Sequence, residues 1–249
     1  MARRYALRDD RWDRIRDLLP GRAGHLGVTA KDNRLLVEAV LYRYRAATPW
    51  PDLPERVGDF RVIHLRHSRW SRSGLWQRVF QVLSEDADNE YAMIDSTIVR
   101  AHQHSAGAKG APQASGRSRG GPSSQIHAVV DALGNPLAFH LTAGQASDLE
   151  GADALPGWSV GALLADRAYD ARARIIEPMQ RQGTQIAIPS HPTRKVQRGC
   201  DRAMYKDRLR TGNFFAKLKQ YRAIATRYDK TACNFLGAIY WIASAILLN

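Results

Sequence analysis

The spacing of apolar residues changes once along this chain of 249 residues, from a helical pattern to a strand-like pattern. Before the acidic segment Glu85–Glu90, apolar side chains recur at helical spacing, as in Asp10–Leu19 and Asn33–Arg45. After it, short apolar runs bounded by turn-forming residues predict strands. We therefore expect a small all-helical domain, residues 1–88, followed by a mixed α/β domain, residues 89–249.

Two of the predicted strands lead into an aspartate. Tyr91–Ile94 ends at Asp95, and Val160–Ala165 ends at Asp166. The remaining predicted elements are a hairpin of Ile126–Asp131 with Pro136–Thr142, a helix Ala171–Gln182, a strand Gln185–Pro189 and a helical C-terminus. The segment Ser105–Ser124, rich in Gly and Ser, is predicted to be a flexible basic loop.

A helix-turn-helix is predicted within residues 1–88. Leu53–Val57 and a turn at Gly58 precede Arg61–Trp70, which has the pattern of a recognition helix. The polar residues that this helix would offer to DNA are Arg61, Arg66, His67 and Arg69. A three-helix bundle with no role in DNA binding would give the same pattern, so both interpretations stay open.

Positive charge is concentrated near the C-terminus. The net charge is +13, and residues 191–249 carry 12 Lys and Arg against 3 Asp and Glu. Residues 1–90 carry 17 against 13, and residues 91–190 carry 8 of each. A neutral middle beside a basic end suggests a polyanionic partner, usually a nucleic acid, although a solvated basic surface would give the same count.

Several classes of protein do not fit the sequence. The longest apolar stretch, Phe235–Leu248, is shorter than the roughly 18 residues of a membrane span, so no membrane partner is expected. Met1–Arg16 is charged, which is not typical of a secretory signal. Cys200 and Cys233 form neither a zinc spacing nor a disulfide framework, so we expect a cytoplasmic protein.

The two strand-terminal aspartates are the strongest indication of chemistry. Ligands bind beyond the carboxyl ends of strands in α/β sheets, and paired carboxylates there can hold Mg²⁺. Such ions assist phosphodiester cleavage by activating the attacking oxygen and stabilising the leaving oxygen. An aspartate at a strand end is also often a simple turn former. His102, His104 and His127 lie nearby in sequence, but no zinc spacing accompanies them.

The surrounding residues form several motifs in a fixed order. They are Asp95–His102, Gly116–Gly121, Gly144–Gln145 with Asp148, Asp166–Asp170, and finally Tyr205, Arg208 and Asn213–Lys219. Together with Pro49–Val57, they resemble the DDE transposases of bacterial insertion sequences, and in particular the insertion-sequence-five group. The resemblance implies a ribonuclease H-like catalytic core preceded by a DNA-binding region. It also implies Mg²⁺-dependent DNA cleavage and strand transfer at terminal inverted repeats, with Mn²⁺ as a substitute ion.

The same resemblance implies a set of site residues. Asp95 and Asp166 would be the catalytic metal ligands. Near them, DNA would be oriented or contacted by Tyr205, Arg208 and Lys219. Further phosphate contacts are expected from Arg100, Arg117 and Arg119, because arginine can bind phosphate oxygens bidentately. The alternative for Tyr205 and Lys219 is a surface aromatic residue and a solvated charge.

The chain departs from the family pattern at its third acidic residue. Gly212 stands where the family carries a glutamate, and Asp207 should point about 140° away from it on a helix. We therefore expect a transposase that acts on double-stranded DNA as a homo-oligomer at the nucleoid, with impaired catalysis. The alternatives are a non-catalytic remnant that represses transposition, and a cellular nuclease on the same fold.

Overall fold

Seven strands form a mixed sheet in the computed structural model, which describes residues 5–21, 30–86, 88, 90–106, 113–152 and 160–249. The strands are β1 (Tyr91–Ala101), β2 (Gly116–Ser118), β3 (Gly121–Asp131), β4 (Pro136–Ala143), β5 (Ala162–Leu164), β6 (Gln185–Ala187) and β7 (Thr226–Arg227). Their order is β2-β3-β1-β5-β6, with β4 also paired to β3 and β7 paired to the end of β1. β1, β3 and β4 are antiparallel, while β5 and β6 run parallel to β1. The predicted mixed α/β layout and the β3–β4 hairpin are confirmed.

Helices precede the sheet and cover it. They are α1 (Asp9–Ile15), α2 (Asn33–Ala46), α3 (Phe60–Arg72), α4 (Leu75–Leu83), α5 (Asp148–Gly151), α6 (Glu177–Arg181), α7 (Arg202–Lys206), α8 (Leu209–Lys219), α9 (Arg222–Ala225) and α10 (Ala232–Leu247). Side-chain caps define several of the N-termini. Asp32 accepts a hydrogen bond from the Leu35 amide, and Asp59 accepts one from the Arg61 amide.

The two faces of the sheet bury different apolar sets, because successive residues of a strand point to opposite sides. Met93 and Val130 belong to a core that includes the N-terminal helices, α8 and α10. Ala92 and Val129 belong to a second core on the other face, together with Tyr169. Residues that alternate along β1 therefore contact different layers of the molecule.

The N-terminal helices share their core with the C-terminal helix. The rings of Trp76, on α4, and Trp241, on α10, stack with their centroids 4.8 Å apart, and both side chains are fully buried. Both α3 and α4 pack against α10. Whether residues 1–88 form a separate domain stays a prediction.

Several predicted boundaries were wrong. The first strand does not end at Asp95, because Thr97, Ile98 and Val99 prolong it and pair with β3. The expected loop Ser105–Ser124 contains β2 and the start of β3, which form a hairpin at Arg119–Gly120. Residues 107–112 of that segment lie outside the described residues.

Two helical predictions also need correction. The expected helix Ala171–Gln182 consists of a π-helical turn, Arg172–Ile176, followed by α6. Pro178 lacks an amide hydrogen and therefore suits the first turn of a new helix rather than the middle of a long one. In the predicted helix-turn-helix, the first element is only a 3-10 turn, Glu55–Val57, preceded by Pro54.

Candidate active site

The register of two parallel strands places Asp95 and Asp166 at corresponding positions. β1 pairs with β5 so that Met93 lies opposite Leu164. Each aspartate follows its member of that pair by two residues. β5 has ended by this point, and the Asp166 carboxylate caps a 3-10 turn by accepting a hydrogen bond from the Ala168 amide at 2.8 Å. The sheet thus presents both carboxylates at the same level.

The Asp95 carboxyl lies in a poorly solvated and negatively charged environment. Burial raises its pKa above the ordinary value, and the negative charges of Asp166 and Asp148 raise it further. A hydrogen bond of 2.8 Å from the Ser96 amide and the cation of Arg208 act in the opposite direction. Neighbouring carboxylates that raise one another's pKa in this way form a site at which a bound cation is stabilised.

One face of α8 supplies the cations next to β1. Arg208 Nη1 donates to Asp95 Oδ2 at 2.9 Å, and its guanidinium lies 5.5 Å from the Tyr205 ring centroid. Lys219 Nζ donates to Thr97 Oγ1 at 2.6 Å, and burial lowers the pKa of Lys219. The sequence prediction grouped Tyr205, Arg208 and Lys219 near Asp95, and the structure brings them there.

Gly212 lies between these two cations on the same face of α8. At about 100° per residue, it is rotated by about 40° from Arg208 and by about 20° from Lys219. A Cβ atom added at Gly212 would meet no other atom within 4 Å. Asp207, the nearest acidic residue in sequence, pairs with Arg210 at 3.7 Å.

A third carboxylate near the site was not assigned a role from the sequence. Ser96 Oγ donates to Asp148 Oδ1, as does Gln125 Nε2, each at 2.5 Å. Asp148 is held at the start of α5, where the preceding Ser147 caps the helix through the Leu149 amide. The Ser-Asp pair at a helix start was a signal in the sequence, but only the pairing of β1 with β3 brings Gln125 beside Ser96.

Tyr169 was also not predicted as a site residue. It follows Asp166 on the 3-10 turn, and its side chain is fully buried. Burial raises the pKa of its hydroxyl well above the ordinary value, and the negative charges of Asp148, Asp95 and Asp166 act in the same direction. The hydroxyl therefore stays protonated next to the three carboxylates.

The donor set fits a divalent cation held by two ligands. Asp95 and Asp166 offer the hard oxygen atoms that Mg²⁺ prefers, and burial raises the pKa of Asp95 even though Arg208 is paired with it. Within the described residues, however, no three His, Cys, Asp or Glu side chains form a group that could hold a metal ion. Gly212 has no side-chain atom that could add a ligand.

The arginines predicted to bind phosphates lie at the far end of β1. Arg100 of β1 pairs with Ser123 of β3, and Arg117 of β2 pairs with Pro122 of β3. Arg119 lies in the turn of that hairpin. All three arginines are exposed.

The residues predicted on the recognition helix fall into two groups. Arg61 and Arg69 are exposed on α3. Arg66 is half-buried, since it donates to Asn33 Oδ1 at 2.5 Å and stacks 4.9 Å from the Trp70 ring centroid. His67, which lies on the same helix, is fully buried in the core.

The histidines near the site have structural partners. His127 Nε2 and Thr142 Oγ1 are 2.8 Å apart, and burial lowers the pKa of His127 to about 4. The rings of His102 and Tyr228 lie 4.8 Å apart. These contacts account for two of the three histidines without any metal.

Comparison with known families accounts for most of the chain. Residues 7–80 match the family described as "Putative transposase of IS4/5 family", and residues 88–248 match the family described as "Transposase DDE domain". The chain belongs to the DDE transposases. Its sheet is accordingly a ribonuclease H-like core, as the resemblance implied.

Two curated relatives are similar to parts of this chain, and one of them is named as a putative transposase. "Uncharacterized protein y4sN" from Sinorhizobium fredii is 48% identical over 103 residues, which are 41% of this chain and 82% of the relative. "Putative transposase for insertion sequence element IS6501" from Brucella ovis is 38% identical over 130 residues, which are 50% of this chain and 98% of the relative.

No solved structure matches this transposase. Among its described helices, none is long and apolar enough to cross a membrane.

Proposed function

We propose that this transposase binds the terminal inverted repeats of an insertion element and carries a cleavage site whose third carboxylate has been lost. The observation that carries the proposal is the arrangement around Asp95. The charge of Asp166 acts on its carboxylate, while Arg208, just before α8, and Lys219, at the end of α8, contact β1. Family membership supplies the reaction class, since DDE domains generally depend on divalent metal ions.

Each of these residues has a distinct proposed role. Asp95 and Asp166 would hold Mg²⁺, or Mn²⁺ in its place, and the ion would supply charge stabilisation at the attacking and leaving oxygens. Arg208 orients Asp95 through its hydrogen bond and is free to engage a phosphate once a cation neutralises that carboxylate. Lys219 and Tyr205 lie beside it and contact the DNA backbone.

Gly212 favours the second candidate function, a DNA-binding remnant that represses transposition. A glycine has no ligand to offer, so the stabilisation of one reacting oxygen is lost, which costs several powers of ten in rate. The contacts of Arg208 and Lys219 with β1 do not depend on residue 212. We therefore expect DNA binding without efficient cleavage.

Restoring the carboxylate tests this assignment. Gly212→Glu should produce Mg²⁺-dependent cleavage of a terminal-repeat oligonucleotide, since the added side chain enters open space. Gly212→Gln is the matched control, because it has the same shape without the charge, and it should stay inactive. Asp95→Ala or Asp166→Ala should abolish the restored cleavage. Robust cleavage by the unmodified chain would mean that another carboxylate has replaced the missing one.

Binding to DNA is proposed to involve two further regions. Arg61, Arg66 and Arg69 of α3 would read sequence, although only Arg61 and Arg69 are fully exposed. The basic residues of 191–249 would contact phosphates, so affinity should fall steeply with salt. An affinity that does not change between low and physiological salt would contradict this part of the proposal.

We further propose that the chain acts as a homo-oligomer on DNA in the cytoplasm, at the nucleoid.

A further inference from the structure

A second group of cations surrounds a cavity on the other side of α8. The cavity has a volume of about 630 Å³ and is lined by α1, α2, α8 and the C-terminal end of α10. Its cations are Arg11, Arg45 and Lys217, and among the described residues that line it none is Asp or Glu. Lys217 is rotated by about 160° from Lys219 on α8, so this cavity lies away from the carboxylate site.

One of these cations has an unused hydrogen-bond donor. Among the described residues, the buried Nε atom of Arg11 has no hydrogen-bond partner, although the Arg11 side chain lines the cavity. A buried donor of this kind costs free energy, which is expected where a charged side chain is held for a ligand. Arg45 is held beside it, because its guanidinium lies 4.8 Å from the Tyr221 ring centroid and donates to Gln220 Oε1 at 3.3 Å.

The basic surface continues beyond the cavity. A neighbouring depression of about 420 Å³ shares Tyr5, Arg45 and Gln220 with it and adds Arg222. The shared residues join the two spaces into one groove with four cations and several tyrosine rings. Guanidinium groups match the geometry of phosphate oxygens, and a groove of this size accepts more than an isolated ion.

We propose that this groove binds a phosphate group of the DNA backbone, as a second DNA contact separate from the carboxylate site. The proposal rests on the function proposed above, because DNA is the polyanion on which a transposase acts. A free phosphate compound would present the same chemistry, and the experiment separates the two sources.

The experiment compares the full-length chain with Arg11→Gln/Lys217→Gln. Duplex binding is measured over a range of salt concentrations. If both cations contact phosphates, the slope of log affinity against log salt should fall by about 2. The matched control is Arg172→Gln/Arg181→Gln, which removes the same charge from two exposed arginines that pair with Glu177. Arg45→Gln provides a second variant if Arg11→Gln/Lys217→Gln does not fold.

Inorganic phosphate and pyrophosphate form the second arm, measured by calorimetry on the same proteins. A reduced salt slope without phosphate binding identifies the DNA backbone as the ligand and supports the proposal. Phosphate binding that is lost in the variant, with unchanged DNA binding, identifies a free phosphate compound and overturns the assignment to DNA. If neither readout differs from the control, the groove is not a phosphate site. Failure of the unmodified chain to bind any DNA would instead contradict the proposed function, while the calorimetric arm would still test the groove.

Discussion

Two of the pairs that aspartate forms with arginine in this transposase differ in their surroundings. Arg43 and Asp229 lie 3.8 Å apart between the N-terminal helices and α10, and both side chains are about 5% exposed. Arg208 and Asp95 lie 2.9 Å apart at the site, with side chains 27% and 23% exposed. The buried pair is enclosed by the fold, whereas both members of the pair at the site are partly open to solvent.

The buried pair belongs to a chain of hydrogen bonds. Trp76 Nε1 donates to His67 Nδ1 at 3.2 Å, which leaves the proton of a neutral His67 on Nε2, facing Tyr44. The Tyr44 hydroxyl in turn donates to the Asp229 carboxylate at 3.0 Å. Each member depends on the next, so this junction should be sensitive to substitutions that the site tolerates.

The largest effect on stability is expected at the junction. Asp229→Ala leaves Arg43 buried without its counter-charge and should lower the free energy of unfolding by about 3–5 kcal/mol. Arg208→Ala breaks a more exposed pair and should cost about 1 kcal/mol or less. Urea unfolding of both variants measures the contrast. Equal losses would show that exposure does not distinguish the two pairs.

Acidification should act mainly through the buried histidines. Burial lowers the pKa of His67 to about 4, from an ordinary value of 6.5. The unfolded chain therefore binds a proton first, and stability is lost as pH falls from about 6.5 towards 4, by up to about 1.4 kcal/mol per pH unit for each such histidine. His67→Gln should flatten the pH dependence, whereas the exposed His104→Gln should not. A profile that does not change in His67→Gln would contradict the burial argument.

Asp95 should make a smaller contribution to the pH dependence of stability, with the opposite sign. Its pKa is raised, so the metal-free protein is most stable below the ordinary pKa of an aspartate and loses stability as pH rises through the raised value. Asp95→Asn should therefore melt at a higher temperature than the unmodified chain at neutral pH without metal. Added Mg²⁺ or Mn²⁺ should stabilise only the unmodified chain. Identical responses of both proteins to metal would remove Asp95 from the ligand set.

The smallest change in stability is expected on the exposed face of α3. Arg61→Ala/Arg69→Ala should alter the free energy of unfolding by no more than about 0.5 kcal/mol, because neither side chain is buried. The same variant should lose its preference for inverted-repeat DNA over random duplex in a competition assay. If the preference persists, α3 does not read sequence and the plain helical bundle is the better interpretation.

Local patterns in the sequence predicted the elements but not the contacts between them. The turn residues Ala132–Asn135 between two apolar runs predicted the β3–β4 hairpin, and the family motifs predicted that Arg208 and Lys219 would lie near Asp95. Asp148 received no role, because its partners Ser96 and Gln125 are 52 and 23 residues away in sequence and meet it only in the folded chain. Burial of His67 could not be read from α3 alone, since the residues that enclose it come from three other parts of the chain.

The empty space at Gly212 has an evolutionary consequence. Because a Cβ atom there would meet none of the described neighbouring atoms within 4 Å, a folded protein does not require a particular small residue at this position, and glycine costs only about 1 kcal/mol of helix stability relative to alanine. An element that needed only to keep its protein folded and attached to DNA could therefore drift to glycine at this position. Arg208 and Lys219 keep their contacts with β1 beside this position, so under the function proposed above Gly212→Glu is the one substitution expected to restore cleavage.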